Sequence, residues 1–124
     1  MGKDNKLLEK IVLILEGAVK KTTLEDIRCS REKKTQYEKN RRIYTEIETY
    51  TIPLNVKIEN VNAEGLRLQL EKSHVNEKDS TGYRSDTRYL IRVLGGEILG
   101  ELNIREAKGY FLELKEKHNS RGKF

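Results

Sequence analysis

Two histidines, one cysteine and a short run of cations are the residues with the most chemistry to offer in this sequence of 124 residues. His74 lies in a polar stretch and His118 near the end of a helical pattern. Neither stands at metal-ligand spacing from the other or from Cys29, so no zinc site is predicted. The glycines form neither a GxxxxGK[ST] phosphate loop nor a GxGxxG turn, and there is no nucleophile elbow. Carboxylates are plentiful but alternate with lysines, as in Glu113-Leu114-Lys115-Glu116-Lys117, which is how a solvated helix face reads. Cys29 sits among cations and is read as incidental. The expectation is a binding protein rather than an enzyme, with no cofactor and no metal.

The cations are the anomaly. Residues 1 to 27 hold five basic and five acidic side chains, and residues 43 to 124 hold thirteen of each. Residues 28 to 42 carry seven basic and two acidic groups, so this segment holds the whole formal charge of +5. Arg28, Arg31, Lys33, Lys34, Lys39, Arg41 and Arg42 are spaced closely enough to neutralise successive phosphates and release counterions, and Tyr37 and Tyr44 could stack on unpaired bases. The same run could dock on an anionic protein surface, or serve only as a solvated face. A secondary ligand rim is marked by Tyr83, Arg84 and Arg88, although core or sheet use is the simpler reading of the tyrosines.

Positioning these residues falls to a thin framework. Hydrophobic residues make up 35% of the chain and charged residues 36%, against typical shares of roughly 45–50% and 25%, so a sparse core is expected. The length fits one domain. Leu7, Leu8, Ile11, Leu15, Ala18 and Val19 recur at helical spacing, widened by Val12 and Ile14, and predict a first helix from Asp4 to Lys21. Thr23 and Asp26 outline a capping box for a second, short helix from Leu24. Arg28 to Asn40 then loses its apolar period and reads as a solvated helix extension or a mobile basic linker.

Period two begins at Tyr44. Tyr50, Ile52, Leu54, Val56 and Ile58 alternate with polar residues, Pro53 marks an edge or a bulge, and Leu66, Leu68 and Leu70 resume the pattern after a turn at 59–65, giving a first hairpin. Residues 71–86 read as a long polar loop. Arg88–Leu94 and Glu97–Leu102 flank Gly95-Gly96, suited to a type I′ turn, and form a second hairpin. Asn103 and Glu106 resemble a capping box ahead of a last helix at 105–118, with Ala107, Tyr110, Phe111 and Leu114 facing inward.

Three local resemblances extend this reading. Asn60-Val61-Asn62-Ala63-Glu64-Gly65-Leu66-Arg67-Leu68 resembles the [DN]-x-S-x-x-G strand turn of PilZ domains, which implies a cyclic dinucleotide sensor. In that family an upstream RxxxR element grips the phosphates; here Asn62 stands at the serine position and Arg28, Arg31, Arg41 and Arg42 never fall at RxxxR spacing. Thr23-Leu24-Glu25-Asp26-Ile27 with Ser30-Arg31 is similar to the second helix and turn of winged helix-turn-helix domains, at a shorter spacing. Gly95-Gly96-Glu97-Ile98-Leu99-Gly100-Glu101-Leu102, leading into Ile104-Arg105-Glu106-Ala107-Lys108, resembles the last strand and helix of double-stranded-RNA-binding and integrase arm-binding domains.

The fold expected is α+β: a four-stranded, mainly antiparallel sheet of two hairpins flanked by N- and C-terminal helices. The function expected is a small basic regulatory or accessory protein that binds nucleic acid, or a nucleoprotein complex, through residues 28–42. The alternatives are a protein-binding inhibitor or adaptor of the kind phages and mobile elements encode, and the cyclic dinucleotide sensor. No apolar run approaches the ~20 residues of a membrane span, and the acidic residues near the start do not fit a signal peptide, so a cytoplasmic protein is expected. A homodimer is expected if the sheet fails to cover the first helix's apolar face.

Overall fold

A computed structural model describes residues 2–54, 65–96 and 98–120, with side chains from Glu9 onward. Helix α1 (Gly2–Lys21) is followed by a single 3-10 turn (Leu24–Asp26), five strands and helix α2 (Ala107–Ser120). The strands are β1 (Arg28–Glu38), β2 (Arg41–Pro53), β3 (Arg67–Asp79), β4 (Gly82–Leu94) and β5 (Ile98–Leu102). They form one antiparallel meander in the order β1-β2-β3-β4-β5. The α+β class and the flanking helices are as expected; the sheet has five strands rather than four.

The added strand is the basic segment itself. Residues 28–38 form neither a helix nor a linker but pair along their whole length with β2, from Arg28 opposite Thr51 to Glu38 opposite Arg41. Residues 71–86, expected as a polar loop, are the far half of β3, a tight turn and the start of β4. Both stretches lack an apolar period for the same reason: no residue from 28 to 48, nor from 71 to 90, is buried. Alternation is a record of one wet and one dry face, and here both faces are wet. The backbone ladder supplies the order that burial does not.

The sheet is anchored at its other end. Tyr50, Ile52, Leu68, Leu70, Ile91 and Val93 point to one side and are fully buried under Ile11, Leu15 and Val19 of α1 and Ala107, Phe111 and Leu114 of α2. Phe111 meets Tyr50 and Tyr89 edge-on, with ring centroids 5.2 and 5.5 Å apart, the arrangement favoured by ring quadrupoles. Lys117 ties the helices together by donating from Nζ to the carbonyls of Val19 (2.7 Å) and Lys20 (2.8 Å), which caps orphan carbonyls at the α1 C-terminus. Val12 (41%), which widens the apolar stripe of α1, stays exposed, as does Leu13 (84%) outside the stripe.

Local departures have local causes. The Thr23 hydroxyl donates to the Asp26 carboxylate (2.9 Å), and Asp26 N–H bonds the Thr23 carbonyl (3.1 Å). The two box residues thus satisfy each other, and the second helix ends after one turn. Pro53 lies in β2 between β1 and β3, but β1 starts opposite Thr51, so position 53 is locally an edge where a missing N–H is tolerated. Only Gly96 of the glycine pair has positive φ (+89°), whereas a type I′ turn needs two; the register shifts between Val93 and Leu94 instead. A Cβ on Gly95 would meet Leu99 Cδ1 at 2.8 Å and Leu66 Cδ2 at 2.9 Å, so Gly95 is there for close packing. Val56, Ile58 and the PilZ-like turn from Asn60 to Glu64 lie outside the described residues.

Candidate nucleic-acid interface

Because the β1–β4 pairings are in direct register, side chains line up in rows across the four strands. On the side that carries the helices, the outermost row is Tyr37, Arg42, Lys78 and Tyr83, and the next is Thr35, Tyr44, Asn76 and Ser85. Neighbours within a row are about 5 Å apart and successive rows about 7 Å. Seven of these eight residues line one shallow groove of about 370 Å³: Thr35, Tyr37, Arg42, Tyr44, Asn76, Lys78 and Tyr83. Tyr37 is 78% exposed and Tyr83 65%. Two aromatic faces therefore flank two cations on an open surface, with a third ring behind them.

Two-residue turns hold this end in place. Lys39-Asn40 closes β1 to β2, with Asn40 at φ +149° and its N–H bonded to the Glu38 carbonyl (2.8 Å). Ser80-Thr81 closes β3 to β4 around Asp79, whose carboxylate accepts from the Thr81 N–H (2.8 Å), the Thr81 hydroxyl (2.5 Å) and the Gly82 N–H (3.1 Å). These bonds, with Arg84 at 2.9 Å, hold the Asp79 carboxyl down at about 2, as expected when the charged form is the one being hydrogen-bonded.

The back face holds most of the sheet's ion pairs, although its Arg28, Lys34 and Arg67 form none among the described residues. On the back face, Arg41 bridges Glu38 (2.7 Å) and Glu77 (2.9 Å), Arg84 pairs with Asp79 and Arg88 with Asp86 (2.9 Å), and Arg92 joins Glu71 (2.6 Å) to Glu101 (3.0 Å). On the groove face, Lys33, Arg42 and Lys78 form no ion pair among the described residues. The acids of this face are Glu46, directly opposite Lys33, and Glu48, one row nearer the helices. Glu48 is occupied there: Tyr50 donates its hydroxyl to it (2.6 Å), Lys115 lies at 3.5 Å and Arg31 at 3.9 Å. Burial and this carboxylate push the Tyr50 hydroxyl well above its usual range, so it stays a donor.

The residues singled out in the sequence are thus divided by strand parity. Lys33, Tyr37 and Arg42 share the groove face with Tyr83, which joins them from the secondary rim. Arg31 is on the same side but closer to the helices, at Glu48. Arg28, Lys34 and Arg41 point to the back face, as do Arg84 and Arg88, and Lys39 is in the turn. Lys78 and Asn76 were missed, because they belong to what reads as a polar loop; the signal that could have found them is the Asp79-Ser80-Thr81-Gly82 turn, which implies strands on either side.

Among the described residues no group of three or more His, Cys, Asp or Glu side chains is placed to hold a metal ion, and no described helix is long and apolar enough to cross a membrane. No family model, curated protein or solved structure matches the chain.

Proposed function

We propose that this chain is a non-enzymatic regulatory or accessory protein that binds single-stranded nucleic acid on the groove face of the outer sheet. The observation that carries the reading is the sorting of charge and aromatics: the exposed rings of Tyr37 and Tyr83 lie in one groove with Arg42 and Lys78, cations unpaired among the described residues, with Lys33 further along the same face, while Arg41, Arg84, Arg88 and Arg92 of the back face are paired with acids. Across β1–β4 the back face sets six acids against seven cations, whereas the groove face sets two against five. Open tyrosine faces suit bases that have left a duplex stack, and the cations between them suit the connecting phosphates. A strand surface with aromatics standing out of it is a physical solution for single strands, since a duplex hides the faces the rings would meet.

The test is titration of the purified protein into labelled single-stranded and duplex DNA and RNA of equal length at 50 and 200 mM salt. Single strands should bind more tightly than duplexes, and affinity should fall about twentyfold across that range if three phosphates are neutralised, from a slope of about −0.7 per phosphate. Equal binding of duplex and single strand would remove the role given to the tyrosines. No binding at low salt would reject nucleic acid and turn attention to an anionic protein surface as the partner.

A further inference from the structure

The groove at the tip is half of a longer surface. Moving toward the helices on the same face, the next rows are Lys33, Glu46, His74 and Thr87, then Arg31, Glu48, Lys72 and Tyr89. Here α2 rises beside the sheet and closes a cleft of about 680 Å³ to which it contributes Lys108 and Lys115. Three lysines from two elements, Lys72, Lys108 and Lys115, converge on it. Its acids are partly spoken for: Glu48 is held by Tyr50, Arg31 and Lys115, and Glu46 stands directly between Lys33 and His74.

The aromatic residue of the cleft is placed differently from those at the tip. Tyr89 is half-buried, edge-on to Phe111, with Lys108 Nζ 5.9 Å from its ring centroid. A half-buried ring with a cation over it is less open to a base than the exposed rings at the tip. The cleft therefore suits phosphate, whereas the tip suits bases.

Resting on the reading above, we infer that the cleft beneath α2 is a second, phosphate-only subsite for the same single strand. Bases stack on Tyr37 and Tyr83 at the tip, and the backbone continues down the face to Lys72 and Lys108. The run from Tyr37 to Arg31 covers about 20 Å at 3.4 Å per residue, which fits a footprint of roughly four to six nucleotides, near the lower end for single-strand binders.

The experiment is a length series of oligothymidylates of two, four, six and eight nucleotides, titrated at 100 mM salt into the wild-type chain and into Lys72→Ala/Lys108→Ala. In the wild type, affinity should climb through six nucleotides and then level off. The double variant should bind the dimer and tetramer as the wild type does and the hexamer and octamer on the order of tenfold more weakly, as for one to two lost phosphate contacts. Unchanged melting of the variant would separate this from misfolding; if it melts lower, Lys72→Gln/Lys108→Gln keeps the stems and removes only the charge. A wild-type curve that is flat beyond the dimer, or a variant that follows the wild type at every length, would overturn the subsite and leave the tip site standing. Failure of every oligomer to bind the wild type would overturn the nucleic-acid reading itself, and the subsite with it.

Discussion

Arg41 and Arg42 are adjacent, identical in charge and opposite in expected effect. Arg41 ends on the back face between Glu38 and Glu77, and Arg42 lines the groove with no ion pair among the described residues. For a tetranucleotide that runs from the tip to Lys33, two rows nearer the helices, contacts to Lys33, Arg42 and Lys78 predict a slope of log affinity against log salt of about −2. Arg42→Ala should bring it to about −1.4 and lower affinity at 100 mM salt roughly fivefold, which is about 1 kcal/mol. Arg41→Ala removes the same charge from the chain, but its guanidinium is screened from the groove across the thickness of the sheet, about a Debye length at this salt. It should leave affinity within twofold and the slope unchanged. Its cost falls on stability instead, as a small fall in the denaturant midpoint, because Glu38 and Glu77 lose their shared partner at an exposed site. Fluorescence anisotropy with a labelled tetramer at four salt concentrations, alongside urea melts of both variants, reads all of these quantities. If Arg41→Ala weakens binding as much as Arg42→Ala, affinity follows net charge and the assignment of the groove face is wrong.

Tyr37→Ala and Tyr83→Ala should each cost about 1–3 kcal/mol in binding of a single strand with stability changed by no more than about 0.5 kcal/mol, while the Phe variants keep most of the affinity; anisotropy and thermal melts distinguish the two. Phe111→Ala removes the ring on which Tyr50 and Tyr89 pack and should destabilise the fold by about 3–5 kcal/mol, seen as a large fall in the denaturant midpoint. Gly95→Ala forces both Leu66 and Leu99 to move and should cost about 1–3 kcal/mol by overpacking, measured in the same melts. The Asp79 carboxyl titrates at about 2 when folded against 3.8 in a free chain, so its contribution to the β3–β4 turn is present above pH 4 and lost as pH falls through 2. The amide resonances of Thr81 and Gly82 should titrate with a midpoint near 2, and a midpoint near 4 would contradict the bonds assigned to that turn.

The legible part of this sequence was the part that makes a dry interior. Ile11, Leu15 and Val19 at helical spacing, Tyr50 and Ile52 in alternation, and Ala107, Phe111 and Leu114 along the last helix are all buried, as their periods imply. The cation run and two of the groove's tyrosines, Tyr37 and Tyr44, were visible too, as composition. What could not be read was the conformation of 28–38 and 71–86, since a strand with water on both sides has no hydrophobic period to display. Strand parity then decided which cations count: once 28–38 is extended, Lys33 and Lys34 must face opposite ways, as must Arg41 and Arg42. A helix or linker carries no such sorting, so the sequence reading grouped as one patch residues that the sheet divides.

The position of β1 adds a constraint on why these cations lie where they do. It is the outer strand of the sheet, and its eleven residues pair on one side only among the described residues. An edge of that length is a template for pairing with another chain, and lysines along an edge oppose this by bringing like charges together. Edge protection alone would be served by a cation on either face, and Lys34 on the back face provides it as well as Lys33 does. It does not account for Arg42 and Lys78, which sit on inner strands where no edge needs guarding. Nor does it account for the two exposed tyrosines beside them, since open aromatic rings add to the risk of association that edge lysines reduce. The combination on the groove face runs against what a merely soluble sheet requires, and a ligand with stacked rings and repeated negative charge is what would make it favourable.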